Sequence, residues 1–358
     1  MTVNTGVDQD KLDALLGKMV EDIGATISAP LMVIGDRLGL YRALAEGGPQ
    51  TPAQLAERTG TRARYVAPWL VNQAARGYAE YDPSSGRYSL TPEQALVFVE
   101  EEDSPAFVVG GMETMVAASM AVDRVAEAFR TGGGMAWGEH HPGLFRGTER
   151  FFRPGYLANL ATSWIPAIEG VVRRLESGGQ VADVGCGHGA STIIIAEAYP
   201  NARLVGSDFH AESIEQARGR AEKAGVADRV SFEVAAASKI PGVEGGYDLV
   251  TYFDCLHDMG DPLGALRRAR AVLAEGGVVM IVEPMAGERV EENFNPIGRA
   301  YSAGSAMICT PNAVATGGNG LGTIATEAEI RAVAEAAGFR RFRRATETSL
   351  NRIFEARP

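Results

Sequence analysis

Apolar residues between Lys11 and Gly47 return at helical spacing, as Leu12, Leu15, Leu16, Met19 and Ile23 and then Leu31, Ile34 and Leu38. The stretch therefore reads as helix with one apolar face. The segment Thr51 to Gly60 carries both helix-end signals: Thr51 as cap, Pro52 in the first turn and a closing glycine. A second short helix, Arg62 to Arg76, is ended by Gly77, and Pro68 inside it is expected to kink it or displace its start. Tyr78 to Tyr81 and Arg87 to Leu90, joined by Asp82-Pro83-Ser84-Ser85-Gly86, read as a β-hairpin. Residues 104–176 look helical, with interruptions at Gly132-Gly133-Gly134 and around Pro142-Gly143.

The remainder alternates strand and helix, the mark of a parallel sheet covered by helices on both faces. Expected strands are Val181–Val184, Arg203–Ser207, Val230–Val234, Tyr247–Phe253 and Gly277–Val282, with helices near 190–199, 211–224 and 262–274. A helix at 327–337 and two strands, Arg340–Arg344 and Leu350–Glu355, close the chain as an antiparallel hairpin. The 42 residues from Pro284 to Ala325 form a connection too long for simple linkage, and are expected to be a lid or a substrate-binding insertion. The expected organisation is a mostly helical front domain over 1–103, a helical connector over 104–176 that contributes to an acceptor pocket, and an α/β domain over 177–358 with a Rossmann-like sheet.

Helix, helix, hairpin is the order of a winged helix-turn-helix. DNA binding would need base-reading side chains on the second helix, whose middle, Tyr65 to Val71, is largely apolar. Residues 1–100 hold 9 basic and 12 acidic side chains, and the whole chain of 358 residues is at −11. That sign opposes a phosphate backbone, so the module is read as a dimerisation element and the first helices as the seam of a homodimer. Three cysteines, Cys186, Cys255 and Cys309, are too far apart for a disulfide framework or a zinc motif. With no basic-then-apolar leader and no ~20-residue apolar run, the expectation is a cytoplasmic protein.

The segment Asp183-Val184-Gly185-Cys186-Gly187-His188-Gly189-Ala190 follows a strand and opens a helix. Glycine is 43 of 358 residues, so the pattern alone is weak. Its context is not, because Asp208 closes the next strand where an acidic side chain can hold ribose hydroxyls. Gly185, Gly187 and Ala190 also satisfy a dinucleotide fingerprint, but Asp183 would repel a pyrophosphate and attract a cationic nucleoside such as S-adenosylmethionine. At the end of the fourth strand stands Phe253-Asp254-Cys255-Leu256-His257-Asp258. Ligands in open α/β sheets bind beyond such strand ends. His257 is therefore the candidate base, since imidazole titrates in the useful range.

Residues 180–285 resemble the core of a class I S-adenosylmethionine-dependent methyltransferase. With its winged-helix-like front, the whole chain resembles the two-domain small-molecule O-methyltransferases. The resemblance implies a seven-stranded methyltransferase sheet and a loop, Asp183, Gly185, Cys186, Gly187 and Gly189, wrapped around the methionine part of the cofactor. It implies Asp208 on the ribose, Phe209 against adenine, Ala236 and Ala237 at the adenine edge, and Phe253 lining the same site. Leu256-His257-Asp258-Met259-Gly260-Asp261 is similar to that family's L-H-D-W-x-D stretch, whose His is the general base. The family's orienting Glu is absent from Gly322-Thr323-Ile324-Ala325-Thr326, which leaves Glu283 or Asp254 to orient His257. Trp137, Tyr156, Trp164, Asn295, Tyr301 and Met307 are expected to line the pocket of a small-molecule acceptor, and no metal ligand is assigned. Three alternatives remain: C-methylation of a 2-oxo acid or related enolisable acceptor, a regulator that binds the cofactor as a signal, and a fold relative that binds it without transferring methyl. The metal-assisted form of C-methylation would call for a second His after the fifth strand, and no His follows His257.

Overall fold

The computed structural model describes residues 6–100 and 104–358, so the expected boundary at 103 lies outside the described residues. The chain divides into two compact units. The first ends at Val116 and takes in Arg146–Pro154; the second comprises Ala117–Phe145 and Gly155–Pro358.

In the first unit, the apolar run from Lys11 to Gly47 is two helices, α1 (Gln9–Arg37) and α2 (Leu40–Gly47), separated at Gly39 with φ 67°. Then come α3 (Pro52–Thr59) and α4 (Ala63–Ala75). Thr51 and Gln54 form a reciprocal capping box, and Gly60 closes α3 in the left-handed conformation. Pro68 lies inside α4 without breaking it. Both Pro68 and Arg64, whose carbonyl loses its partner, are exposed, so water can replace the missing bond. Strands β1 (Glu80–Asp82) and β2 (Arg87–Ser89) pair antiparallel as the wing, and α5 (Pro92–Phe98) repeats the Thr-Pro-x-Gln start of α3. Tyr41, Leu44, Leu55, Trp69 and Phe98 form the unit's core. Glu113, at 3% exposure, pairs there with Arg37, Arg146 and Arg150.

The second unit is built on β3 (Gln180–Val184), β4 (Arg203–Asp208), β5 (Val230–Val234), β6 (Tyr247–Phe253), β7 (Leu273–Pro284), β8 (Arg341–Glu347) and β9 (Asn351–Arg357). Their order in the sheet is β5-β4-β3-β6-β7-β9-β8. The first five are parallel, and β9 and β8 add antiparallel at one edge. The expected α/β sheet with a closing hairpin is thus present. Val278 to Val282 are all essentially inaccessible, as a strand covered on both faces requires. Among the described residues no single helix is long and apolar enough to cross a membrane.

Chain direction reverses between β3 and β6. Helices α6 (Val109–Ser119), α7 (Val122–Thr131), α8 (Gly143–Asn159) and α9 (Val171–Glu176) precede β3. From β3 the chain enters α10 (Ala190–Ala198) and moves toward β4, which α11 (Ala211–Lys223) follows; β6, on the other side of β3, leads into α12 (Pro262–Val272). The crevice at such a switch point is where a ligand meets strand ends. The 284–325 connection is mostly helix: α13 (Pro296–Gly304), a π turn at Ser305–Cys309 and α14 (Thr310–Ala315). Asn295 caps α13 by accepting from the Gly298 amide at 2.9 Å.

The loop glycines differ in what they tolerate. Gly189 has φ +81°, and a Cβ there would stand 2.8 Å from Phe232 and 3.0 Å from Ala217. At Gly187, with φ +51°, nothing lies within 4 Å. We expect Gly189→Ala to destabilise by about 2–4 kcal/mol in urea unfolding, from backbone strain plus overpacking. Gly187→Ala should cost only about 1 kcal/mol.

Candidate active site

The turn after β3 is shaped by Gly185, Gly187 and Gly189, all at positive φ. Its amides fold back on the neighbouring strand: Gly185 and Cys186 both donate to the Ser207 carbonyl, at 2.7 and 3.1 Å. Asp183 sits beneath the turn, wholly buried. It accepts from the hydroxyls of Ser191 (2.7 Å), Thr192 (2.6 Å) and Thr251 (3.0 Å). Burial pushes its carboxyl upward, against those three bonds. Asp208, at the end of β4, accepts from the Gly187 amide at 3.0 Å and the His210 amide at 2.8 Å and stays partly accessible. Phe209 and Val234 are 48% and 51% exposed, and Ala236 beside them is exposed too. Exposed apolar side chains at adjacent strand ends suit one face of a planar heterocycle, with Asp208 in reach of a sugar.

At the end of β6 the chain turns sharply. Asp254 takes φ 51°, and Leu256–Asp258 form a single 3-10 turn that swings His257 toward β7. There Glu283 meets it twice: Oε2 lies 2.6 Å from the His257 Nδ1, and Oε1 accepts from the His257 amide at 3.2 Å. Both side chains are almost fully buried. Burial alone would lower the imidazole's pKa; the Glu283 carboxylate, and after it the Cys309 thiol that hydrogen-bonds the ring, raise it well above the ordinary value. A proton shared with Glu283 occupies Nδ1, which leaves Nε2 as the nitrogen able to accept one.

The two carboxylates expected near His257 thus have different partners. Asp254 accepts instead from Asn351 Nδ2 at 2.6 Å and from the Tyr156 hydroxyl at 3.1 Å. The 284–325 connection also converges on His257. Leu321 and Gly322 amides donate to its carbonyl at 2.8 and 2.9 Å, and Asn312 donates to the Asp258 carbonyl at 3.1 Å. Asn312 accepts in turn from the Trp137 amide at 3.0 Å. Buried Arg352 donates to the carbonyls of Pro284 and Ala325, tying the end of β7 to the return of the connection.

Of the residues expected around the acceptor, Trp137 and Met307 pack with Phe145, Leu144 and Ile308. Tyr156 lies between Trp164 and Phe253, with centroids 6.0 and 5.3 Å away. Tyr301 bonds the Leu350 carbonyl at 3.1 Å, and Asn295 is spent capping α13. The hydroxyls on Asp183, the Cys309 thiol and Asn351 carry no motif. Thr251 is visible only through its register with Asp183 across β6 and β3.

Five carboxyl groups therefore gather at this edge: Asp183, Asp208, Asp254, Asp258 and Glu283. Burial drives up the first four, with Asp254 pushed to about 8 and Asp258 to about 7. Asp208 raises Asp183, and Glu283 raises Asp254 and Asp258, so the repulsion is mutual. A pyrophosphate would add to it and a cation would relieve it.

Residues 175–337 match the family described as methyltransferase domain, and residues 26–99 match the Rv2258c-like winged HTH domain. The chain carries a methyltransferase domain of the class I fold. A 27-O-demethylrifamycin SV methyltransferase of Amycolatopsis mediterranei is 32% identical over 135 residues, 36% of this chain and 49% of that protein. The norajmaline N-methyltransferase of Rauvolfia serpentina is 26% identical over 144 residues, 37% of this chain and 49% of that protein. The chain thus spans about half the length of these curated relatives. Among solved structures, a putative O-methyltransferase from Nostoc punctiforme aligns with TM-score 0.72 at 20% identity, covering 95% of this chain and 98% of that one. Mitomycin 7-O-methyltransferase MmcR aligns with TM-score 0.69 at 19% identity, covering 98% of this chain and 100% of that one. At such identities these two likenesses show the fold.

Removing the buried partner of His257 should be costly. Glu283→Gln is expected to destabilise by about 3–5 kcal/mol at pH 6. It should also bring the His257 titration, followed by NMR, back down toward or below its ordinary value. Because the folded His257 pKa is raised, the pair's contribution is full below about pH 6.5. It fades as pH rises through the folded value.

Proposed function

We propose that this protein is an S-adenosylmethionine-dependent methyltransferase that O-methylates a small organic acceptor, with His257 as general base and Glu283 as the residue that orients it. The observation that carries the reading is the buried His257–Glu283 contact at the carboxyl end of β6, beside the glycine turn of β3. When bound, the cofactor supplies an electrophilic methyl group on a sulfonium. The turn from Gly185 to Gly189 would hold its methionine part, Asp208 its ribose, and Phe209 with Ala236 and Ala237 its adenine. His257 would take the proton of an acceptor hydroxyl at Nε2, and Glu283 would stabilise the imidazolium that results. Trp137 with Met307, and Tyr156 with Trp164, would give an acceptor pocket two apolar patches, which suits a mostly apolar acceptor with few polar handles.

Pairing of two copies through α1 belongs to the same proposal. Leu15, Leu16, Met19, Val20, Ile23 and Ile27 are all at least half exposed along that helix. An apolar stripe of this length is more often covered than left in water.

Incubation with methyl-labelled cofactor and a library of phenols and alcohols tests the reading, and label in a product is expected. His257→Ala should lower kcat/KM by roughly 10²–10⁴-fold. Since the base must be neutral, kcat/KM should rise with pH as His257 loses its proton, on the alkaline side of the usual histidine range. Unlabelled product with the cofactor recovered intact would sink the assignment. Replacing Ile23 and Ile27 together by Glu should convert a dimer to a monomer in sedimentation.

A further inference from the structure

The loop at the end of β6 holds a carboxyl group that the proposed chemistry leaves unused. Asp254 is the single non-glycine residue with positive φ among the described residues, and strain of this kind collects at ligand sites. It follows the last residue of β6, the parallel neighbour of β3. The next residue, Cys255, reaches the glycine turn itself, where a Cβ on Gly185 would stand 2.7 Å from its sulfur. Asp254 is therefore on the β6 side of the crevice, opposite the turn, deep in the unit yet partly open to solvent. Asp183, by contrast, is closed off by three hydroxyls.

We propose that Asp254 is the residue that receives the α-ammonium group of the cofactor's methionine end, with Tyr156 and Asn351 holding its carboxyl in place. Each carboxyl oxygen accepts one of these donors, and a carboxylate can accept about four. Each oxygen keeps a lone pair for a further N–H donor, and a charge-assisted bond to an ammonium is the strong kind. The ionisable groups facing Asp254 are Glu283 from β7, His257 from the 3-10 turn, Tyr156 beside Cys255 and Asp183, and Tyr301 from α13. Of these, only His257 brings positive charge, and Glu283 engages it. The carboxylate expected at Asp183 to select the cation is thereby placed one strand over.

The assignment rests on the S-adenosylmethionine reading above, and calorimetry on the full chain separates the two. Without ligand, burial and after it Glu283 push the Asp254 carboxyl up to about 8, which favours its protonated form at pH 6.5. An ammonium beside it requires the ionised form, so binding should expel about one proton. Titrations in phosphate and in imidazole buffer at pH 6.5 measure that proton from the difference in apparent enthalpy. Release is expected with S-adenosylmethionine and with S-adenosylhomocysteine, which share the ammonium, and not with 5′-methylthioadenosine, which lacks it. Asp254→Asn should abolish the release and weaken S-adenosylmethionine roughly 10- to 100-fold. Tyr156→Phe, which keeps the carboxyl, should bind more weakly but still release the proton. Binding without release, equal release in Asp254→Asn, or release with S-adenosylmethionine alone would each overturn the assignment. Failure of all three nucleosides to bind would overturn the methyltransferase reading with it.

Discussion

The burial of carboxyl groups at the carboxyl edge of β3, β4, β6 and β7 is the constraint around which the second unit is arranged. Carboxyl groups removed from water are costly unless hydrogen-bonded or paired. Four of the five here have their own answers: hydroxyls for Asp183, loop amides for Asp208, Tyr156 and Asn351 for Asp254, and the imidazole for Glu283. The elements supplying those answers come from distant parts of the chain. Satisfying the charges and assembling the crevice are thus one event.

The same arrangement explains why the long connection after β7 is built as helix. A structureless loop of that length, packed against the buried His257 turn, would leave amides and carbonyls of its own unpaired. Folded as α13, the π turn and α14, it satisfies most of them internally. What remains is spent on a few contacts: Asn312 to the Asp258 carbonyl, and Leu321 and Gly322 to that of His257. The backbone around the candidate base is held from the insertion while its ring is held from β7.

Local pattern carried a large part of this. Val230–Val234 and Tyr247–Phe253 are strands over the bounds their apolar runs suggest, and Thr51-Pro52 and Gly60 mark the ends of α3. Where local pattern failed, a competing signal is identifiable. The strand expected at Gly277–Val282 extends to Leu273–Pro284, because pairing with β6 and β9 recruits residues whose composition alone does not ask for a strand. The start of α13 was written in Asn295-Pro296 but hidden within a segment read as a lid by its length.

Spacing along the chain was enough to expose the glycine turn, to put an acid at the end of β4 and to stand a histidine at the end of β6, since each depends on near neighbours only. It offered Glu283 and Asp254 as equal partners for that histidine. The tertiary structure separated them. The register that sets Phe253 opposite Val282 carries the next residue of β7, Glu283, to His257, while Asp254 meets Tyr156 and Asn351 from α8 (Gly143–Asn159) and β9. A hydrogen bond spanning 26 residues, or 98, leaves no periodicity in the sequence; only the packing of strand beside strand decides which carboxyl group arrives.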